Sequence, residues 1–253
     1  MVLINILTRT SNRPLFFRDC VSSVRSQTHS AVRHIVGADD EASLNYAREL
    51  VPDAVRLHRS EPEFSPHAFS APYNLYLNTL MQEVSDGWIH FLDDDDAYTG
   101  ADSLAVLASH MRDENSLLLW RVQFPDRVIP QYCFGHVPLL GDITGVGVAF
   151  HSKHRRYAQW DDVKGADHRV IERLFYVLEP IWIERTLTCA NYPQIGGSFN
   201  GGLGQRRDKY DGLPAPQQSY THYAEFGWPM TELEKLRARV AELTAAASKS
   251  GNR

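Results

Sequence analysis

The sequence predicts an α/β fold in which a mostly parallel sheet is flanked by helices, followed by a smaller β-rich half and a C-terminal helix. In the first hundred residues, short apolar runs alternate with segments of helical periodicity, which is the order of strands and helices in a parallel sheet. Acidic pairs follow two of the apolar runs, and ligands of such sheets gather at the carboxyl ends of the strands. Both observations favour a ligand-binding α/β domain.

The first half supplies four strands and four helices in alternation. Pro14 stands at the start of the first helix, where its missing N–H costs nothing, and the apolar residues that follow fall on one helical face. Strands are expected at residues 2–7, 32–37, 54–57 and 88–92, and helices at residues 14–27, 42–50, 71–84 and 102–111.

The second half is richer in predicted strands. Strands are expected at residues 116–124, 128–132 and 145–151, and a helix at residues 166–176. Residues 194–218 are rich in Gly, Gln, Arg and Pro and predict a long loop. Residues 231–249 predict an amphipathic helix that either docks on the domain or joins two copies of the chain as a short coiled coil.

Composition limits the classes of function. A chain of 253 residues with 43% hydrophobic content can bury one sizeable core. A net charge of −5 gives no basic field for a nucleic-acid partner. No run approaches the roughly 20 apolar residues of a membrane span, and the apolar N-terminal run is too short for a secretion signal. Three widely spaced cysteines indicate neither a disulfide framework nor a zinc site, so a cytoplasmic protein is expected.

The segment GWIHFLDDDDAY places four aspartates, Asp93 to Asp96, directly after an apolar strand. Clustered carboxylates repel one another and resist desolvation, so the pattern favours a bound cation over a solvated acidic turn. Asp39 and Asp40 follow the second strand, where an aspartate can also cap the next helix. We expect the two clusters to converge on one crevice.

Four segments in this order resemble glycosyltransferases of the GT-A fold, family 2: LINILTRTSNRP, CVSSVRSQTHS, HIVGADDEAS and IHFLDDDD. The resemblance covers about residues 2–100. It implies a Rossmann-like GT-A domain with a nucleotide-sugar-binding half at residues 1–112 and an acceptor half at residues 113–226. It further implies transfer from a nucleotide diphospho-sugar, with UDP favoured, to the hydroxyl of an acceptor such as a glycan or a small molecule.

The resemblance assigns roles to the acidic cluster. Asp93 would contact the ribose or a metal-bound water, Asp95 would ligate Mn²⁺ or Mg²⁺, and Asp96 would assist. A hard divalent cation prefers oxygen ligands and neutralises the charge that develops on a diphosphate leaving group. Asp94 should point away from that site, because neighbouring side chains alternate along a strand.

The resemblance also assigns nucleotide contacts outside this cluster. Asp39 matches the aspartate that hydrogen-bonds the base, and Thr8 and Arg13 match the turn that closes around base and ribose. Asn78, with Asn74 nearby, matches an asparagine that precedes the metal-binding strand, although a local cap or turn explains either residue equally well.

Asp167 is the candidate general base that removes the proton from the acceptor hydroxyl, with inversion at the sugar. Many family members have Glu-Asp at this place, whereas this chain has Ala166-Asp167. Asp161 and Asp162 are rivals for the role, and a dipole-favoured aspartate at a helix start is the plain alternative. The glycine-bearing segment 141–150 would line the pocket.

The C-terminal region supplies two further candidates. His222 would be an additional metal ligand, as in some GT-A enzymes. The segment 196–212 would be a lid over the diphosphate or an exposed linker; as a lid it would use the cations Arg206, Arg207 and Lys209.

Two other functions compete with transfer. A nucleotide-sugar-binding protein without transferase activity is favoured only by the missing Glu before Asp167. A nucleotidyltransferase would need a glycine-rich phosphate loop after the first strand, and TRTSNRP is not such a loop.

Overall fold

A computed structural model describes residues 1–60 and 71–190. The strands are β1 Ile4–Thr10, β2 Val32–Ala38, β3 Val55–Arg56, β4 Trp88–Phe91, β5 Ala97–Tyr98, β6 Ser116–Gln123, β7 Val128–Ile129, β8 Val148–His151 and β9 Glu179–Cys189. The helices are α1 Pro14–Arg25, α2 Glu41–Leu50, α3 Leu75–Gln82, α4 Ser103–His110 and α5 Ala166–Val177. The predicted loop at residues 194–218, the predicted helix at residues 231–249 and His222 lie outside the described residues.

One sheet contains strands from both halves of the described chain, in the order β3-β2-β1-β4-β8-β6-β9-β5, with β7 paired to β6. The first four of these strands are parallel to one another. β8 is antiparallel to both β4 and β6, and β9 is parallel to β6. The predicted mostly parallel sheet therefore holds for the N-terminal half, while the second half is mixed.

Helices cover both faces of the sheet. α3 and α5 pack against one face through a core that includes Leu80, Leu174 and Phe150. On the other face, α1 and α4 contribute Val24 and Leu104 to a second core, and a smaller cluster joins α1, α2 and β2. Apolar residues of a central strand such as β1 therefore alternate between two buried faces, which explains its nearly continuous apolar run.

The structure differs from the predicted elements in the second half. β9 was not predicted, because its sequence EPIWIERTLTC mixes apolar and charged residues without a regular period. Its pairing with β6 shifts register between Trp120 and Val122, so the apolar pattern does not stay in phase. The predicted strand at 145–151 begins as a 3₁₀ turn at Gly145–Gly147, and the predicted helix at 71–84 is divided into a 3₁₀ turn, Pro72–Asn74, and α3.

The cysteines are not joined by disulfides, as their wide spacing predicted. Cys20, Cys133 and Cys189 are buried and carry free thiols. In the part of the chain that the structure describes, no helix is both long enough and apolar enough to cross a bilayer.

Candidate functional site

The ends of β1, β2 and β4 bring the two acidic segments to one edge of the sheet. β1 lies between β2 and β4, and all three strands run in the same direction. The backbone N–H of Asp39 donates to Thr10 O (3.3 Å), and that of Leu92 donates to Leu7 O (3.0 Å). The residues that follow β2 and β4 therefore lie on either side of the turn between β1 and α1.

A pocket of about 360 Å³ opens at this edge, between the strand ends and the start of α5. Two carboxylates line it, Asp93 after β4 and Asp167 in the first turn of α5. Its charged and aromatic lining also includes Arg9, Lys164, Tyr73, Phe91 and Trp160. The Trp160 ring stands edge-on to Phe91, with 5.1 Å between the ring centroids, and forms an apolar wall beside the two acids.

Asp93 is solvent-exposed within this concave site. Desolvation by the surrounding protein and repulsion by the Asp95 carboxylate raise its pKa, while Arg9 and Arg13 oppose the shift. Asp167 adds to the rise, so the two pocket acids influence each other electrostatically. A positive group entering this space would relieve the repulsion.

Asp94 faces the turn after β1. Its carboxylate accepts hydrogen bonds from Thr10 Oγ1 (2.8 Å) and from Arg13 Nη1 (3.0 Å). Burial raises the pKa of Asp94 to about 6, with Arg13 opposing the shift. Asp94 thus ties β4 to the turn.

Arg13 also pairs with the proposed metal ligand Asp95, at 3.2 Å between Nη1 and Oδ2. The Asp95 side chain is 11% exposed, and Asp96 is buried. Within residues 1–60 and 71–190, no group of three or more His, Cys, Asp or Glu side chains is arranged to hold a metal ion. Mg²⁺ and Mn²⁺ are often held by one or two carboxylates when phosphates supply further oxygens. Asp93 and Asp95 therefore fit a cation shared with a diphosphate, but not a site made of protein ligands alone.

Asp39 and Asp40 have different roles. Asp40 caps α2, accepting a hydrogen bond from Ser43 N (2.7 Å), so the capping interpretation holds for this residue. Asp39 instead pairs with Arg9, at 2.6 Å between Oδ2 and Nη1, and its side chain is 2% exposed. The Arg9 side chain is 13% exposed and lines the pocket.

Thr8 and Asn78 are both predicted to contact the nucleotide. In the structure, their side chains form hydrogen bonds with other parts of the protein. Thr8 is fully buried, and its hydroxyl donates to Leu92 O (2.7 Å). The Asn78 amide donates to Trp160 O (2.9 Å) and accepts from Trp160 N (2.7 Å). Both side chains therefore position parts of the fold in this structure, and the nucleotide contacts that the resemblance implies for them stay predictions. Asn74, by contrast, does line the pocket.

The structure separates the three candidate bases. Asp161 is 4% exposed and pairs with Arg169 (3.0 Å) and Arg173 (3.2 Å) of α5. Asp162 accepts a hydrogen bond from Ala71 N (2.7 Å). Neither lines the pocket, whereas Asp167 does.

Asp167 has the chemical character of a base. Desolvation raises its pKa, and this shift is opposed by hydrogen bonds from the backbone of His168 and Gly145 and from the Thr144 side chain. A raised pKa strengthens a carboxylate as a proton acceptor, and the hydrogen bonds fix its orientation. Thr144 and Gly145 belong to the segment 141–150, which was expected to line the pocket.

Among the charged and aromatic lining residues, sequence reasoning missed Arg9, Tyr73, Phe91, Trp160 and Lys164 as parts of the pocket. Arg9 carried a signal, because a charged side chain one position before the end of an apolar strand must find a partner or an opening. Tyr73 and Trp160 had no such signal, since aromatic side chains occur more often in the core.

Comparison with known proteins identifies the fold. No protein-family model and no curated protein matches the chain. The crystal structure of S. aureus TarS matches with a TM-score of 0.58 and 13% identity, over 74% of this chain and 36% of that chain. S. aureus TarS 1-349 in complex with UDP matches with a TM-score of 0.55 and 12% identity, over 74% of this chain and 60% of that one.

A mannosyltransferase, PcManGT from Pyrobaculum calidifontis in complex with GDP-Man and Mn²⁺, matches with a TM-score of 0.56 and 14% identity. This match covers 77% of this chain and 58% of the mannosyltransferase. The chain thus spans less than two thirds of the length of each of these three structures. Identities this low show the fold alone: the chain has a GT-A-like glycosyltransferase fold.

Proposed function

We propose that the protein is a glycosyltransferase that moves a sugar from a nucleotide diphospho-sugar to an acceptor hydroxyl. The observation that supports this most is one pocket lined by two carboxylates, Asp93 at the end of a parallel strand and Asp167 at the start of α5. An acid beside the donor phosphates and a second acid to accept a proton are what such a transfer requires.

The donor half of the proposal rests on the strand ends. Asp93 and Asp95 would hold a divalent cation, Mn²⁺ or Mg²⁺, together with the diphosphate oxygens of the donor. That cation would neutralise charge on the leaving diphosphate. A UDP-sugar is the favoured donor; among the structural neighbours, TarS 1-349 is in complex with UDP and the mannosyltransferase with GDP-Man and Mn²⁺. Asp96, which is buried, and His222, outside the described residues, remain predicted additional ligands.

The acceptor half rests on Asp167. We infer that its carboxylate accepts the proton of the acceptor hydroxyl while the oxygen attacks the anomeric carbon from the face opposite the diphosphate. This geometry inverts the configuration at that carbon. The Trp160 and Phe91 rings exclude water from one side of the pocket, which favours the acceptor hydroxyl over water as the nucleophile. The acceptor is proposed to be a glycan or a small molecule.

The test is turnover of nucleotide sugars, by hydrolysis and by transfer to added glycan or small-molecule acceptors, each with and without Mn²⁺, measured as release of nucleoside diphosphate from a panel of UDP- and GDP-sugars. We expect metal-dependent release in the native protein and a loss of about 100-fold or more in the Asp167→Asn variant. Asp126→Asn is the matched control, because Asp126 is exposed and pairs with its sequence neighbour Arg127. A folded native protein that binds donors without turning them over would favour the non-catalytic alternative, and one that neither binds nor turns over any donor would refute the proposal.

A further inference from the structure

Arg9 is held on two sides at the wall of the pocket. Its Nη1 lies 2.6 Å from Asp39 Oδ2, and its guanidinium carbon lies 5.3 Å from the centroid of the Tyr73 ring. A guanidinium fixed by an ion pair and an aromatic face loses little conformational freedom when a ligand arrives. Arg9 is therefore preorganised to donate hydrogen bonds into the pocket.

Asp39 lies behind Arg9 as seen from the pocket. Its side chain is 2% exposed and is not part of the pocket lining, whereas Arg9 is. A ligand that enters the pocket meets the guanidinium first, and the carboxylate acts by orienting that guanidinium. This arrangement differs from the sequence-based expectation, in which Asp39 itself contacts the base.

The strand order indicates which end of a nucleotide Arg9 meets. β1 carries Arg9 and lies between β4, which precedes Asp93, and β2, which precedes Asp39. The ion pair shows that the Arg9 side chain reaches toward the β2 side. Neighbouring strands are about 4.8 Å apart, so Arg9 lies within reach of the nucleoside when the diphosphate is beside Asp93 and Asp95. This step rests on the function proposed above.

We propose that Arg9, oriented by Asp39, contacts the nucleotide base and selects a base with a carbonyl oxygen at ring position 4 of a pyrimidine or ring position 6 of a purine, as in uracil or guanine. A guanidinium has five N–H donors and no acceptor. The O4 atom of uracil and the O6 atom of guanine can accept from it. Cytosine and adenine carry an amino group at the corresponding ring position, and that donor would face another donor.

Two ligand pairs test this inference, because UDP differs from CDP at ring position 4 and GDP differs from ADP at ring position 6. Each exchange also changes the adjacent ring nitrogen between donor and acceptor, and guanine carries a further 2-amino group, so UDP and CDP are the more closely matched pair. Dissociation constants are measured by isothermal titration calorimetry on the full chain with Mn²⁺. We expect the carbonyl member of at least one pair to bind about tenfold more tightly than its amino counterpart. In Arg9→Gln this preference should fall to less than about threefold, while the Arg127→Gln surface control should retain it.

Removing Arg9 alone leaves the buried Asp39 carboxylate without its guanidinium, so Arg9→Gln is paired with the double variant Arg9→Gln/Asp39→Asn, in which a neutral amide pair replaces the ion pair. In the native background, Asp39→Asn should weaken UDP or GDP binding by about threefold to tenfold. In the Arg9→Gln background it should have no further effect, because Asp39 acts through Arg9. A further loss in that background would show that Asp39 touches the base and would overturn the inference.

The outcomes separate this inference from the proposed function. Equal affinities within both pairs, or an unchanged preference in Arg9→Gln, overturn the role of Arg9 and leave the glycosyltransferase proposal standing. If none of the four nucleotides binds the folded native protein, the proposed function fails and the inference fails with it.

Discussion

Replacing Asn78 by Ala tests whether this residue positions the pocket wall or contacts a ligand. Its side chain is 7% exposed on α3. The amide nitrogen donates to Trp160 O (2.9 Å) and Ser60 Oγ (3.0 Å), and the amide oxygen accepts from Trp160 N (2.7 Å). The substitution removes all three hydrogen bonds and leaves both backbone groups of Trp160 without these partners.

The expected cost follows from those groups. A buried donor or acceptor that loses its partner costs about 1–3 kcal/mol, so two of them cost about 2–6 kcal/mol. The higher helix propensity of Ala offsets roughly 0.5 kcal/mol of this loss. Partial relaxation and entry of water at the pocket edge reduce it further, so we expect the free energy of unfolding to fall by about 2–4 kcal/mol.

Equilibrium unfolding in urea measures this change, and Gln82→Ala is the matched control. Gln82 lies on the same helix and is exposed, so its loss should be within about 0.5 kcal/mol. A loss below about 1 kcal/mol in Asn78→Ala, combined with weaker binding of UDP by the folded variant, would contradict the positioning role. The residue would then be a ligand contact, as the sequence predicted.

Three further substitutions have defined outcomes. Asp142 accepts backbone hydrogen bonds from Gln131, Tyr132 and Cys133, which lower its pKa against the effect of burial. Asp142→Asn should therefore lower the free energy of unfolding at pH 7 by about 2 kcal/mol. Urea titrations should show that the difference between the two proteins becomes smaller as the pH falls below about 4. Burial lowers the pKa of His90 to about 4 in the folded state, whereas an unfolded histidine becomes protonated below about pH 6.5. The free energy of unfolding should therefore decrease as the pH falls from about 6.5 to about 4, and thermal unfolding across pH should show a smaller decrease in His90→Gln. The pKa of Asp167 is raised, so the turnover of the native protein should decline on the acid side at a pH above the usual range of an aspartate, and the residual turnover of Asp167→Asn should not follow that decline.

The N-terminal half of the fold could be predicted because local sequence patterns determine its strands and helices. The strands β1 and β4 are buried along almost their whole length, β2 is buried over its last four residues, and each intervening helix has an apolar stripe of its own. β9 was not legible, because its burial depends on β6 and on a register shift that no local pattern records. The turn at Gly145–Gly147 was predicted to be part of a strand for a similar reason. A Cβ atom at Gly147 would lie 2.8 Å from the Val122 side chain, and this contact between residues far apart in the sequence is visible only in the folded structure.

The sequence also does not show which acids of the site face a ligand. The sequence places several acids close together, and adjacency alone cannot say which of them faces a ligand. In the described structure arginines make this distinction, since Arg9 reaches Asp39 and Arg13 reaches Asp94 and Asp95. Two arginines one helical turn apart on α5 engage Asp161 in the same way. Asp93 and Asp167 line the pocket, and desolvation raises the pKa of each. An ion pair holds its carboxylate in a fixed orientation, so Asp39, Asp94 and Asp161 position the elements around the pocket. Asp93 and Asp167 face the pocket directly, and Asp95, although paired with Arg13, is the proposed second ligand of the cation.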